Sequence, residues 1–356
     1  MGDGHPLKEI ARQAGVGLAT VDRVIHGRSG VRASTKRRVA QAIEELSRQT
    51  LETSLQGRRL SIDLVMAAPD RFSSAVRNAL EAQLPQLMPI AMRVRAHLGE
   101  TATHEEIAAI LTRIRKRGSN GILLKAPDHP AIRDEIDACA RARIPVITLV
   151  TDLQECNRLA YVGLDNHAAG QTAAWLIAGW MPPPTCTGLS VLVVISSARF
   201  KGEEERERGF RDYLARHAPH LRIHFLGEGN GLDWQTLGLV EHALVTHPEI
   251  EAIYSIGGGN RAIATALNRC KRVPRIFIGH DLDRDNLSLL ADRVLTAVLH
   301  HDLNADMLLA CQLLIEANRL RPTKTEICPS PAQIITPLNL PGFCAPSLPS
   351  RAQKPE

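Results

Sequence analysis

With 356 residues, 44% of them hydrophobic, the chain is long enough for two or three domains, each with its own buried core. No run approaches the ~18 to 20 consecutive apolar residues of a membrane-spanning helix, which argues against a membrane partner. The start, MGDGHPLKEI, lacks a charged-then-apolar secretory pattern, so a cytoplasmic protein is expected. The net charge of +5 is concentrated at one end. Residues 1–60 hold eleven Lys and Arg against six Asp and Glu, leaving 32 against 32 in the rest, which suits either a phosphate-binding surface or an ordinary solvated basic face.

Along the chain, Leu7, Ile10, Ala11 and Ala14 follow helical spacing, Gly15 interrupts it, and Val21, Val24 and Ile25 resume it. A Gly at the break suits a turn with positive φ, and Ala11 is small enough to let the second helix cross closely. A third helix, Thr35 to Leu46, places Val39, Ile43 and Leu46 against the pair. Three short helices of this kind can form a helix-turn-helix module whose second helix enters a DNA major groove.

From Leu60 the pattern alternates between short apolar, β-rich runs (LSIDLVMA, IAMRVRAH, NGILLKA, IPVITLV, LSVLVVIS, LRIHFLG, EAIYSIG, PRIFIGH, VLTAVLH) and helical segments such as SSAVRNALEAQL and EEIAAILTRIRKRG. Repeated βα units predict parallel sheets with helices on both faces. About ten strands are more than one compact sheet commonly uses, so two sheets in two lobes are expected. Ligands of such lobes bind where loops converge at the carboxyl ends of the strands. Phe72, just past the first run, is placed either to stack on the apolar face of a ligand or to pack its own helix. Asp152, beyond the TLV run, is a candidate acceptor for hydroxyl groups. IITPLNLP supplies a final strand, and residues 342–356, in a Pro-rich end, are expected to be disordered.

Several chemistries are not indicated. Seven scattered cysteines (Cys139, Cys156, Cys186, Cys270, Cys311, Cys328 and Cys344) form no Cys-x-x-Cys with a His-x-x-x-His partner set, so they read as reduced thiols. His300, His301 and Asp302 are adjacent at a strand end and point apart, and no metal is expected there. SIGGGNRA lacks the G-x-G-x-x-G spacing of a dinucleotide site. An enzyme on an α/β scaffold is a rival reading, but no G-x-S-x-G, His-Glu-x-x-His or phosphate loop is found. No enzyme activity and no cofactor are therefore predicted.

Residues 7–46, with LKEIARQAGV, then ATVDRVIHG, then V-R-x-x-T-K-x-R-V, resemble the headpiece of the lac repressor (LacI) family of bacterial transcription regulators. The resemblance implies that Leu18, Ala19 and Arg23 meet base edges, with Arg23 able to engage a guanine bidentately. Thr20, His26, Arg32 and Thr35 would touch phosphates and fix register. Gly17 and Asp22 stand where the family commonly has Ser, and Asp22 could orient Arg23. Residues 47–59, SRQTLETSLQGRR, fall at the family's hinge, where Leu55 matches a side chain that wedges into the minor groove. That segment lacks the usual aromatic-x-Pro-Asn entry, and a flexible linker is the alternative.

Residues 60–341 resemble the periplasmic sugar-binding-protein fold that this family attaches to its headpiece. The first lobe would take residues 60 to about 163 and return near 298–324, and the second about 164–297 with 326–340. The resemblance implies an effector site that includes Arg206, which matches the family's effector-contacting Arg in R-x-x-G-F, together with Asn260, Asp281 and His301, joining Phe72 and Asp152. The implied protein has a headpiece at 1–46, a hinge at 47–59, a two-lobe domain at 60–341 and a tail at 342–356. It would be a homodimeric regulator that binds operator DNA under the control of a sugar or polyol. A sensor whose headpiece has decayed is the alternative within the same fold.

Overall fold

The computed structural model describes residues 5–55, 57–182, 188–196, 200–227, 233–321 and 325–341. By compactness the chain divides into residues 1–60 with 86–93, and residues 61–85 with 94–356. The expected disorder of 342–356 concerns residues outside those described.

The first unit begins with α1 (Leu7–Ala14), α2 (Leu18–Ile25) and α3 (Ala33–Leu55). Gly15 ends α1 in the left-handed conformation, with φ 59° and ψ 41°, which a residue with a Cβ adopts at a cost. Ile10, Ala11, Ala14, Val21, Val39 and Ala42 form the buried core. Helix α3 does not stop at Leu46 but continues to Leu55, which corrects the expected helix end. No Gly or Pro lies between Ala33 and Gln56 to break it, so most of the expected hinge segment is a continuation of α3. The Leu55 side chain lies outside what is described.

Two sheets follow, with most of their residues in the second unit. The first has the order β2-β1-β3-β4-β5, built from β1 (Arg59–Ala67), β2 (Ala91–Gly99), β3 (Ile122–Lys125), β4 (Val146–Leu149) and β5 (Ala160–Val162). β1 pairs with β3, β3 with β4, and β4 with β5, all in parallel. Three helices lie between these strands: α4 (Asp70–Gln83), α5 (His104–Arg117) and α6 (Pro130–Arg141). Ile107, Leu111 and Ile114 of α5 and Ile132 and Ile136 of α6 are buried with Val65, Ile122, Leu124 and Val146 of the strands. A capping box, Thr103 with Glu106, starts α5.

After α7 (Asn166–Trp180) come β6 (Ser190–Val194), α8 (Lys201–His217), β7 (Arg222–Leu226), α9 (Asp233–Thr246), β8 (Ile250–Ser255), α10 (Asn260–Arg269), β9 (Ile276–His280), α11 (Arg284–Ala291) and β10 (Ala297–His300). With β11 (Gln333–Ile335), these strands form the second sheet, ordered β11-β10-β9-β8-β6-β7 and parallel except for β11. One apolar cluster joins this sheet to α7 and α8, and another joins it to α9, α10 and α11. Strands covered on both faces are apolar throughout, as β6 is.

α12 (Leu303–Ala317) returns to the first lobe, where Asn304 accepts a hydrogen bond from Gln83 at 2.9 Å and Asn318 is bonded to Asn120. The expected return near residue 298 is thus corrected to just after His300, because β10 pairs with β9 and belongs to the second sheet. Three connections pass between the lobes: β5 to α7, β10 to α12, and α12 to β11.

Candidate functional sites

Loops following the strands of both sheets enclose a cleft of about 170 Å³. That is room for a molecule of about one ring, judged against the ~150 Å³ cavity that accepts benzene. The first lobe contributes Arg71, Phe72, Lys125 and Thr151, and the second contributes Phe200, Glu203, Arg206, Asn260, Asp281 and Asp283.

Arg206 reaches the cleft because two helices approach unusually closely. A Cβ on Gly170 of α7 would lie 2.0 Å from the Arg206 carbonyl oxygen, and one on Gly209 of α8 would lie 2.1 Å from that of His167. Glycines at both positions let α8 seat against α7. The buried Arg206 Nε donates to Asn166 Oδ1 at 2.8 Å and Nη1 to the Ile256 carbonyl at 3.3 Å. A guanidinium carries five N–H donors, and these two bonds fix the plane in which the rest point.

Opposite it, Asn260 donates to Asn286 Oδ1 at 2.8 Å. Asn286 in turn donates to the carbonyls of His280 and Asp281 at 2.9 and 2.6 Å. Asn260 Oδ1 is buried without a hydrogen-bond partner, an acceptor facing a cleft that a hydroxyl could satisfy. Asp281 holds a positive φ of 62° at the end of β9. Burial pushes its pKa up, but the adjacent His301, then Arg206 and His280, hold it well below the usual carboxylate range. It is therefore an ionised acceptor at neutral pH.

Phe72, Arg206, Asn260 and Asp281 are the predicted residues that come together here. Asp152 does not line the cleft. Arg158 grips its carboxylate through two bonds of 2.5 Å, and Thr148 Oγ1 and the Leu153 amide donate to it as well. It fastens the loop between β4 and β5. His301 does not line the cleft either. Fully buried at the crossing from β10 to α12, its Nδ1 lies 3.2 Å from Asp281 and its Nε2 3.5 Å from Asp306 of α12. Asp306 also pairs with Ser330, on the connection toward β11. His301 thus stands behind the cleft, between a cleft carboxylate and two of the lobe connections. Its neighbours have other tasks, as His300 accepts from the Leu282 amide and Asp302 caps α12.

Of the cleft residues that escaped the sequence reading, Lys125, Arg71 and Phe200 gain their meaning from the opposite lobe. Lys125, at the end of β3, lies with Nζ 4.0 Å from the Phe200 ring centre. Burial pulls its pKa down to about 8, against the upward pull of Glu203 and Asp281. Arg71, of α4, pairs with Asp283 across the cleft at 3.2 Å. Phe200 precedes α8 and belongs to no strand. A position at a strand end was the available signal; Lys125 and Arg71 carried it and Phe200 did not.

In the headpiece, Leu18, Ala19, Arg23, His26 and Arg32 are exposed, and Thr20 and Thr35 are half-buried. Asp22 does not orient Arg23. It pairs instead with His26 and Arg28, both at 3.0 Å. Gly17, lacking a side chain, caps α2 with no side-chain hydrogen bond.

Residues 62–315 match the model of the periplasmic binding protein domain, and residues 6–48 match that of the bacterial regulatory proteins, lacI family. The chain is a lacI-family regulator with a periplasmic-binding-protein domain. As a lacI regulator it belongs to a family of binding proteins, not enzymes. The ribose import binding protein RbsB of Salmonella typhimurium is 24% identical over 190 residues, which are 51% of this chain and 60% of that protein. The match therefore spans less than two thirds of that relative. A glucose-galactose binding protein, GanP, from Geobacillus stearothermophilus superposes with a TM-score of 0.69 at 20% identity, covering 80% of this lacI regulator and 99% of GanP. An ABC transporter solute binding protein from Burkholderia graminis, in complex with D-arabinose, gives 0.71 at 16% identity, covering 81% and 98%. These structures share the fold of the two-lobe unit. No helix among the described residues of the regulator is long and apolar enough to cross a membrane. The five cysteines among them are free thiols.

Proposed function

We propose that this lacI regulator is a sequence-specific repressor whose operator affinity is set by a small polyhydroxylated ligand, a sugar or polyol, bound between the two lobes. It acts in the cytoplasm as a homodimer, with residues 1–46 reading DNA and residues 60–341 holding the effector. The observation that carries this reading is the joining, in one chain, of an exposed Leu18, Ala19 and Arg23 face on α2 to a ring-sized cleft where Arg206, Asn260 and Asp281 converge. Alternating donors and acceptors suit a polyol, since an analogue lacking one hydroxyl leaves a buried partner unsatisfied. The names of the relatives, which specify ribose, glucose with galactose, and D-arabinose, support the sugar class.

Two headpieces related by a two-fold axis address two half-sites of a near-palindromic operator. The ligand need only bind one arrangement of the lobes better than the other for the two events to be coupled. Electrophoretic mobility shift with DNA from upstream of the chain's own gene tests this. A salt-sensitive, sequence-selective complex is expected. Absence of such a complex in every ligand state removes the regulator reading.

A further inference from the structure

Away from the cleft, on the second lobe, three side chains from separate segments converge: His224 of edge strand β7, His247 just after α9, and Glu249 just before β8. His224 Nε2 lies 3.2 Å and His247 Nδ1 3.4 Å from one and the same oxygen, Oε1 of Glu249. The two imidazole rings stack with centres 3.9 Å apart at 29°, and one ligand atom from each residue lies within 4.8 Å of the others. His224 Nε2 is buried and, despite the nearby carboxylate, makes no hydrogen bond. Nitrogen and oxygen are close but not aimed at each other.

The three ligand atoms lie close enough to share one ion. Bonds of about 2.0 to 2.1 Å in a tetrahedron separate neighbouring ligand atoms by about 3.3 Å, the spacing found on both sides of Glu249. We infer that His224, His247 and Glu249 form a binding site for a divalent first-row transition metal, zinc being the ion best suited to two imidazoles and a carboxylate with water in the fourth position. The ion ties β7, which among the described residues pairs only with β6, to the turn between α9 and β8. Glu249 precedes its strand, whereas the cleft loops follow theirs, so the site is separate from the cleft. No short motif marks the group, because 22 residues lie between His224 and His247.

Titration of the full chain, free of any affinity tag, with Co²⁺ tests the site. One equivalent should give the visible absorption of tetrahedral cobalt, which one equivalent of Zn²⁺ bleaches. His224→Asn and, separately, Glu249→Gln should each abolish the band and weaken Zn²⁺ binding at least tenfold by calorimetry, with the far-ultraviolet circular dichroism kept. Glu249→Gln preserves side-chain size and serves if His224→Asn fails to fold. No tetrahedral band in the unaltered chain, or a band and a Zn²⁺ affinity unchanged by the substitutions, overturns the site. Neither outcome bears on DNA or sugar binding.

Discussion

The carbonyl oxygen of Arg206 stands 2.0 Å from the position a Cβ on Gly170 would occupy, so the guanidinium in the cleft depends on a hydrogen atom in the neighbouring helix. Gly170→Ala must push α8 away from α7 and carry Arg206 with it. A loss of about 1–3 kcal/mol in urea unfolding is expected, the usual cost of overpacking a tight contact, together with weaker ligand binding by calorimetry. Gly179, on the same helix, is the control, because a Cβ there would meet nothing within 4 Å. Gly179→Ala should leave ligand binding alone and match or exceed the parent in stability, since Ala favours a helix over Gly. Equal behaviour of the two substitutions would show that the helix contact does not position Arg206.

Asp63 of β1 is fully buried and accepts from Arg95 at 2.7 and 3.1 Å, lies 3.0 Å from His97 Nε2, and accepts from Arg117 at 2.6 Å. Burial alone raises its pKa, but Arg95, His97, Ser119 and Arg117 together bring it below the ordinary value of 3.8. The cations are partly exposed and can turn to water, so Asp63→Asn should cost about 1.5–3 kcal/mol, the range for hydrogen bonds to charged groups. A depressed folded pKa contributes stability above the unfolded value and loses it as pH falls through the folded one. The gap between parent and variant should thus be constant above about pH 5 and shrink in acid below 3.8. Urea unfolding at a series of pH values measures this, and a gap independent of pH counts against the ion cluster.

The sign is opposite for Lys125. Its folded pKa of about 8 lies below the ordinary 10.5, so burying the ammonium is a penalty that is full below pH 8 and relieved as pH rises toward 10.5. Lys125→Met should stabilise the ligand-free protein at pH 7 by about 1–3 kcal/mol, from ~1.4 kcal/mol per pKa unit less the lost contact with Phe200. The advantage should fade by about pH 10. A destabilised variant at pH 7 would show that the ammonium is not held at a cost.

Much of this was legible in the sequence, and the exceptions share a cause. Periodicity marks elements whose own side chains decide their state. Ile10, Ala11 and Ala14 fix one face of α1, and the apolar run of β6 signals a strand covered on both sides. Arg206, Asn260 and Asp281 reach the cleft from strand ends and helix starts, and it was the family resemblance, not spacing, that singled them out. β5 passed unnoticed because three residues carry no period. Asp152 follows the TLV run but is captured by Arg158, a choice set by the local turn. His301 lies behind Asp281 because β10 pairs with the second sheet, and that pairing is a tertiary fact. Helix α3 overran its expected end because Leu46 carries no stop signal.

For DNA reading, Arg23 is exposed on α2 and is not engaged by Asp22, which holds His26 and Arg28. Arg23→Ala should relax selectivity at one base pair per half-site, with a loss of about 1–3 kcal/mol confined to operators carrying the preferred base. Competition binding against a panel of single-base operator variants reads this. A uniform loss across the panel would make Arg23 a phosphate contact.

The proposed coupling of cleft to headpiece through one chain is tested most directly by fluorescence anisotropy of labelled operator. The operator is titrated with the full-length protein, with and without the sugar or polyol that gives the largest thermal shift. Operator affinity should change at least about fivefold, and saturating operator should change the sugar affinity by the same factor, as linkage requires. A sugar that binds the cleft while leaving operator affinity unchanged would contradict the account.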